Sequence, residues 1–290
     1  MAAPWQVLWK RHEHPRDKRL RFHEPTHTYY IDGDSKNVIS CTGFLHQFFG
    51  HFDADATIDK MMRSAKWPES KYYGMTKAAI KAQWNENGRI ASEAGTAMHL
   101  AIEMFLNDAT HLIPPEVIAT PEWTYFMKFW ADHGHDLEPW RMEWEVFVEE
   151  LRLAGSIDGV FRRKSDGRYL IYDWKRSKEI KTENNFQSGL GPVSHLPDTN
   201  YWHYSLQLNV YRYILEKHYG LDVAEMYLVI MHPDNKSYKR MRLNRMDDEV
   251  ESMVEARRRA VAGGFKDVVV MEEAGAAEPV SGAAGCMIKL

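Results

Sequence analysis

The sequence predicts a mixed α/β (α+β) fold in which helices flank a central mixed β-sheet. Stretches with apolar residues at helical spacing alternate along the chain with short β-branched and aromatic runs that end at turn residues. Of the 290 residues, 44% are hydrophobic and ten are tryptophan, so the chain has enough apolar surface for a sizeable core. A sheet covered by helices buries such a series of amphipathic elements.

The N-terminal part is predicted to begin with strands and to continue with helices. Residues 20–31 and 38–45 read as two strands joined by the turn DGDSKN. Residues 53–65 form one predicted helix, and residues 76–107 form one long helix or two consecutive ones. Residues 121–134 add a helix that ends at a glycine.

The C-terminal part is predicted to alternate between strands and helices. The elements are, in order, a strand series over 142–161 and 168–175, a loop and helix over 194–220, a strand over 224–233 and an amphipathic helix over 247–263. Residues 1–262 are interpreted as one domain. Residues 263–290 are of low complexity and are interpreted as a disordered tail.

The net charge of −4 predicts no general attraction to nucleic acid, but the charge is unevenly distributed. Residues 151–181 contain nine Lys or Arg and four acidic side chains, a local charge of +5 (nine minus four). The rest of the chain therefore carries about −9. A polyanion is expected to bind at this basic segment and not elsewhere.

Cysteine usage and the N-terminus limit the class of protein. Only Cys41 and Cys286 are present, far apart and in no CxxC pattern, which argues against a disulfide framework, a zinc finger and a four-cysteine iron–sulfur cluster. The N-terminus lacks the apolar segment of a signal peptide, and no apolar run approaches ~18 residues. The expectation is a soluble intracellular protein, of the cytoplasm or nucleus, without a membrane partner.

Three charged residues occupy the two strands of one predicted hairpin, GSIDGVFRRKSDGRYLIYDWKRSK. If the Asp-Gly pair at 166–167 is a two-residue loop, Asp158 lies opposite Lys175. The same register places Asp173 opposite Val160. Because side chains alternate along a strand, Asp173 and Lys175 share one face, and the two carboxylates converge beside an ammonium group.

Charged groups in an apolar sheet are costly without a partner, and Mg²⁺ is a natural partner for one or two carboxylates. An acid-x-Lys triplet alone is weak evidence, because chance supplies about two in a chain of this composition. A solvent-facing strand is the alternative. The combination of an acid in one strand, an Asp-Gly turn and an apolar strand ending in acid-x-Lys favours the metal site.

This hairpin resembles the PD-(D/E)XK nuclease superfamily, and in particular its RecB-like branch. The stretch SIDGVF resembles the GxxD strand of that branch, so Asp158 matches its first metal-binding acid. The stretch YDWK resembles the (D/E)xK strand, which makes Asp173 the second metal ligand and Lys175 the catalytic lysine.

Two flanking helices extend the resemblance over roughly residues 90–215. The stretch AGTAMHLAIE resembles the GxxxH helix and contributes His99. The stretch SLQLNVYRYILE resembles the QxxxY helix and contributes Gln207 and Tyr211. Four motifs in this order imply a restriction-endonuclease-like core.

The resemblance implies a site for Mg²⁺ or Mn²⁺ and no iron–sulfur cluster. Asp158, Asp173 and the backbone carbonyl of Trp174 would hold one or two ions. His99 would be a further ligand. Glu103 lies four residues after His99 on the same helical face and is an additional candidate, with a structural role as the equal alternative.

Gln207 and Tyr211 share one helical face and are assigned to the catalytic set. Gln207 is a candidate to hold Lys175 or a phosphate oxygen, and Tyr211 is a candidate to line the DNA groove. The alternative is a helix face that meets solvent. Five basic side chains around the hairpin are predicted to contact the DNA backbone, and they are Arg162, Arg163, Lys164, Arg176 and Lys178.

The expected function is that of a metal-dependent deoxyribonuclease. The resemblance favours an exonuclease that acts on DNA ends in replication, recombination or repair, as a possible homo-oligomer or with partners from those processes. The alternatives are a structure-specific endonuclease and a catalytically silent nucleic-acid-binding module. An iron-dependent oxygenase that uses His232 and Asp234 is a third hypothesis. It predicts a double-stranded β-helix, which the long helical stretch 53–107 contradicts.

Overall fold

A computed structural model describes residues 3–265. Its helices are α1 (Val7–Arg11), α2 (Cys41–His46), α3 (Ala54–Met62), α4 (Lys77–Leu106), α5 (Pro115–Ile118), α6 (Pro121–His133), α7 (Asn200–His218) and α8 (Asp247–Ala262). Its strands are β1 (Leu20–His23), β2 (Thr28–Ile31), β3 (Ile39–Ser40), β4 (Leu137–Val148), β5 (Leu153–Arg163), β6 (Tyr169–Lys175), β7 (Val223–Ile230) and β8 (Lys239–Leu243). None of the described helices is both long and apolar enough to cross a membrane.

Strand β5 lies at the middle of a six-stranded mixed sheet, and β1 and β2 form a separate antiparallel hairpin. On one edge of β5, β4 pairs antiparallel along its length. On the other edge, β3 pairs in parallel with residues 153–154, and β6 pairs antiparallel with residues 159–162. Strand β7 then pairs in parallel with β6 and antiparallel with β8. The predicted mixed sheet is confirmed.

Helices cover both faces of this sheet. On one face, α2, α7 and α8 bury side chains such as Phe44, Leu206 and Met253 in one hydrophobic cluster. On the other face, α4 and α6 pack Ile102 and Phe126 against the aromatic side chains of the central strands. Because β6 is covered on both sides, its residues 170–174 are all buried, and this explains why every residue of that stretch except Asp173 is apolar or aromatic.

The predicted helices are confirmed, and residues 76–107 form the single long helix α4. The strands predicted over 20–31 and 38–45 were wrong in part. Residues 20–31 contain two strands, because a one-turn helix at Glu24–Thr26 folds the segment into the β1–β2 hairpin. Residues 41–46 are helical because the Ser40 side chain accepts a hydrogen bond from the amide of Gly43 and caps α2. The predicted tail beyond residue 265 lies outside the described residues.

The predicted register of the β5–β6 hairpin was wrong by two residues. Gly159 pairs with Tyr172, and Val160 pairs with Ile171 instead of Asp173, so Asp158 does not lie opposite Lys175 as predicted. The loop is longer than predicted because the Gly167 amide donates to the Arg163 carbonyl, with Gly167 at φ +75°. A shift of two residues preserves which side chains of the two strands share a face. Asp173 and Lys175 lie two residues apart on β6, so they share a face in either register.

A buried ion pair fastens the N-terminal segment to the sheet. Arg141 of β4 lies 2.7 Å from Asp17, and both side chains are almost fully buried. Asp17 also accepts a hydrogen bond from the indole nitrogen of Trp144, and Arg141 donates to the carbonyl of His12. The N-terminal segment is therefore held against the strand that follows α6.

Neutralising this ion pair should destabilise the fold. Asp17→Asn leaves the Arg141 guanidinium buried without a counter-charge, so we expect the free energy of unfolding in urea to fall by about 3 kcal/mol. The control Glu86→Gln removes an acid that pairs with Arg89 on the exposed surface of α4, and its stability should match the wild type. Equal stability of the Asp17 variant and the wild type would contradict this account.

Candidate active site and metal centre

The site forms where β5 and β6 separate. Their backbone pairing ends at Gly159 and Tyr172, and the amide of Trp174 then donates to the carboxylate of Asp158 at 2.9 Å. The Asp158 side chain thus accepts the hydrogen bond that a backbone carbonyl of β5 would accept if the strands stayed paired. Asp158 is held between the strands because its oxygen satisfies a buried amide.

Helix α4 brings His99 to this point. Its Nε2 lies 2.8 Å from the carbonyl oxygen of Trp174 and donates to it, since a carbonyl only accepts. Its Nδ1 lies 3.6 Å from Asp158 and 3.4 Å from Glu143 of β4. The structure therefore brings together three of the predicted ligand groups, namely His99, Asp158 and the Trp174 carbonyl.

Glu143 is a member of the cluster that sequence reasoning missed. One ligand atom from each of His99, Glu143 and Asp158 lies within 4.8 Å of the others, and these three form the candidate metal-binding group among the described residues. Glu143 belongs to none of the four motifs. Its strand, MEWEVFV, alternates acidic and apolar residues. Only its place between the pairs Met142–Gly159 and Trp144–Ile157, level with Asp158, distinguishes it from Glu145.

Asp173 and Lys175 form the second half of the site. The Lys175 ammonium lies 2.7 Å from Asp173 Oδ2, a buried oxygen that makes no well-directed hydrogen bond. The same ammonium lies 4.8 Å from the centre of the Tyr204 ring on α7. Tyr204 is a further residue that the motifs did not identify.

The charges in the site shift one another's pKa values. Burial lowers the pKa of His99, but the charges of Asp158 and Glu143 outweigh burial and raise it to about 9. Burial raises the pKa of Asp173 to about 6 against the opposing effect of Lys175. For Lys175, burial acts to lower the pKa, and Asp173 and Asp158 raise it above its ordinary value. Lysine and histidine are therefore the cationic groups at neutral pH.

This set of donors fits a divalent cation. Carboxylate and backbone carbonyl oxygens suit Mg²⁺ and Mn²⁺, and an imidazole completes such sites with Mn²⁺ in particular. The acids present are Asp158, Asp173 and Glu143, and the Asp173 oxygen with no well-directed hydrogen bond has unused acceptor capacity. Protonated His99 lies beside two of these carboxylates and supplies positive charge where an ion would otherwise do so.

A sequence model of the PD-(D/E)XK nuclease superfamily matches residues 71–286. The chain belongs to this superfamily. The match covers all four motifs together with Glu143. Superfamily membership supports a nuclease function, a nucleic-acid substrate and the use of a divalent metal.

Comparisons with other proteins add less. No curated protein matches the sequence. Among solved structures, SSO0001 is 13% identical over 79% of this chain and 78% of its own, with a TM-score of 0.32. A protein from Eubacterium rectale described as "Putative exonuclease" is 14% identical over 65% of this chain and 77% of its own, with a TM-score of 0.37. At such TM-scores these likenesses carry no weight for fold or function.

Within this nuclease fold, Tyr211 is buried beside the site. A Cβ atom at Gly155 would lie 2.8 Å from its ring and 2.7 Å from the Cys41 sulfur, so the glycine of the GxxD motif is required by close packing. Gln207 lies 3.4 Å from the Tyr211 hydroxyl as a donor. The predicted contact of Gln207 with Lys175 or with phosphate stays a prediction, as does the DNA contact of Tyr211.

Glu103 lies apart from the metal-binding group. Its carboxylate accepts a hydrogen bond of 2.7 Å from Gln6 in the N-terminal segment, and it is 7% exposed. Burial raises the pKa of Glu103 to about 7, although the bond from Gln6 opposes this rise. The geometry supports a structural role and not the predicted role as a ligand.

The five predicted DNA-contacting side chains divide into two groups. Arg162, Arg163 and Lys164 lie at the hairpin loop, about 13 to 20 Å along the strand direction from Asp158 at ~3.3 Å per residue. Arg163 pairs with Asp166 and Glu225 there. The structure does not bring this group to the site.

Arg176 and Lys178 follow directly after Lys175. Arg176 pairs with the buried Glu122 at 2.7 Å, whereas Lys178 is exposed and pairs with Asp234 at 2.8 Å. The Asp234 amide donates to His232 Nδ1, so these two residues form a local turn after β7. The observed helix-flanked sheet differs from the double-stranded β-helix that the oxygenase hypothesis requires.

The pKa of Glu103 makes the pH dependence of stability a test of its role. Because its pKa is about 7 in the folded chain and ~4.3 when unfolded, wild-type stability should fall as pH rises from ~4 to ~7. Glu103→Gln removes that titration. The variant should unfold with a free energy about 2 kcal/mol higher than wild type at pH 8 and an equal one at pH 4, in urea with EDTA.

The matched control is Glu116→Gln, which removes an exposed acid. Its stability should match the wild type at both pH values. Weaker Mn²⁺ binding by Glu103→Gln would contradict the structural role and restore Glu103 as a ligand.

Proposed function

We propose that the chain is a metal-dependent deoxyribonuclease of the RecB-like branch, an exonuclease that acts in DNA replication, recombination or repair. The observation that carries the proposal is the junction of two groups at the β5–β6 separation. His99, Asp158 and the Trp174 carbonyl form the first. The Asp173–Lys175 ion pair forms the second. The preference for DNA ends rests on the resemblance of the four motifs to that branch.

Asp158 and Asp173, with the Trp174 carbonyl and with His99 after loss of its Nδ1 proton, would hold Mg²⁺ or Mn²⁺. When bound, such an ion supplies positive charge against the scissile phosphate and acidifies a water molecule. Lys175 has a pKa raised by its two acidic neighbours, so it remains an ammonium. It therefore acts as a hydrogen-bond donor and positive charge for the transition state, and not as a general base.

Asp173 has two roles in this proposal. It offers a carboxylate oxygen to the ion, and it holds the Lys175 ammonium at 2.7 Å. The ring of Tyr204 limits where that ammonium can lie on the α7 side. The lysine is thus fixed beside the metal-binding acids before a substrate enters.

Removing the Asp173 charge should abolish hydrolysis. Asp173→Asn keeps the size of the side chain but weakens the hold on both the ion and Lys175. With 5′- and 3′-labelled single- and double-stranded DNA, linear and closed circular, we expect cleavage to fall by several orders of magnitude with Mg²⁺ or Mn²⁺. DNA binding, measured by fluorescence anisotropy, should be largely retained.

The control for this measurement is Asp132→Asn, an exposed acid of α6 that pairs with Lys128. It should cleave at the wild-type rate. Wild-type cleavage by Asp173→Asn would contradict the site. DNA binding without cleavage by the wild type would indicate the silent binding module, and cleavage of closed circular DNA would indicate an endonuclease.

Lys178 is an exposed cation three residues after Lys175 and serves to test the path of DNA. Each phosphate contact that is lost should lower the slope of log affinity against log salt by about one. Lys178→Ala should therefore weaken DNA binding and reduce the slope, with the rate at saturating DNA unchanged. The double variant Arg176→Ala/Lys178→Ala is a less specific test, because it also leaves the buried Glu122 without its ion-pair partner Arg176.

Lys217→Ala provides the matched control. Lys217 lies at the far end of α7, about 20 Å along the helix from Tyr204 at ~1.5 Å per residue. For Lys217→Ala, the slope of log DNA affinity against log salt should equal that of the wild type. An unchanged slope for Lys178→Ala would remove Lys178 from the DNA-binding surface.

A further inference from the structure

Glu143 has a backbone conformation that is unusual for its position. It lies in the middle of β4 with φ +43°, in the left-handed region that residues other than glycine rarely adopt. The neighbouring residues show its effect. Met142 packs into the cluster under α4 and α6, whereas Trp144 packs into the cluster under α2 and α7. Residues two apart in a regular strand share a face, so the conformation of Glu143 reverses the alternation of β4.

The register of the sheet places Glu143 at the site. The pairs Met142–Gly159 and Trp144–Ile157 flank it, so Glu143 lies opposite Asp158 across the two strands. Its carboxylate is then held from two sides. One oxygen lies 3.4 Å from His99 Nδ1, and the other accepts a hydrogen bond of 3.2 Å from the Ser156 hydroxyl.

The one counter-charge beside Glu143 among the described residues is the imidazolium of His99, which Glu143 shares with Asp158. Among the ion pairs of residues 3–265, Glu143 has His99 as a partner and no lysine or arginine. Like charges on directly opposed strand positions repel. Glu143 and Asp158 together therefore form a negative pair that a cation would stabilise.

We propose that Glu143 is a ligand of the divalent cation and that its strained backbone is the means by which its carboxylate reaches the ion. The strain persists because the strand is fastened on both sides of it, by Trp144 in one core and by the pairing with β5. The inference rests on the metal site of the proposed function. It adds to that site a ligand on a third strand, outside the four motifs.

Metal affinity tests the ligand directly and needs no DNA. Titration calorimetry with MnCl₂ on the full chain should give a Kd for Glu143→Gln that is about 10- to 100-fold weaker than that of the wild type. The matched control is Glu145→Gln, which removes a half-buried acid from the same strand, two residues away. Its Kd should stay within about twofold of the wild type, because Glu145 lies outside the metal-binding group.

Two further variants test the strain. Glu143→Ala keeps the Cβ atom and Glu143→Gly removes it, and both lose the carboxylate. Because glycine adopts positive φ without a steric penalty, Glu143→Gly should melt at a higher temperature than Glu143→Ala in EDTA. In a relaxed strand the order would be the reverse.

The outcomes separate this inference from the proposed function. Wild-type Mn²⁺ affinity in Glu143→Gln, together with a large loss in Asp158→Asn, would overturn the role of Glu143 and leave the metal site intact. A higher melting temperature for Glu143→Ala than for Glu143→Gly would overturn the claim that the backbone at Glu143 is strained. No Mn²⁺ binding by the wild type would overturn both the ligand and the metal-dependent function.

Discussion

The hydrogen bond from the Trp174 amide to the Asp158 carboxylate is the interaction on which the site depends. It forms where the backbone pairing of β5 and β6 ends, so it lets two central strands separate without leaving a buried amide unpaired. The separation has a consequence for the next peptide group. The Trp174 carbonyl becomes available to His99, and helix α4 is thereby linked to the sheet through the same residue.

Around this point the fold keeps charged groups buried by pairing them. Lys175 has Asp173, and His99 has Asp158 and Glu143 as neighbours. Desolvation alone would favour the neutral form of each group, and the neighbouring charges keep histidine and lysine positive. Such a cluster contributes little to stability, and the apolar clusters on both faces of the sheet supply the stability it lacks.

The N-terminal segment is held against strand β4 and helix α4 by two polar contacts to buried side chains. Asp17 neutralises the buried Arg141, and Gln6 satisfies the buried Glu103 of α4. Neither pair contains a residue that the four motif patterns specify. The two contacts join residues 124 and 97 positions apart, so local sequence patterns cannot predict them. The same limit applies to Glu143, whose strand resembles many half-exposed strands.

The sequence by itself determined the class of fold, the helices of the core and the two acids and lysine of the hairpin. These follow from periodicity and from motifs, which depend on residues close together in the chain. It did not determine the strand register, because the Asp-Gly turn admits loops of two or four residues that preserve the same faces. Nor did it determine that Tyr211 packs on Gly155 or that β4 contributes Glu143. Those contacts arise only when strands and helices that are distant in sequence meet, since the position of a side chain across a sheet depends on pairing and not on spacing along one strand.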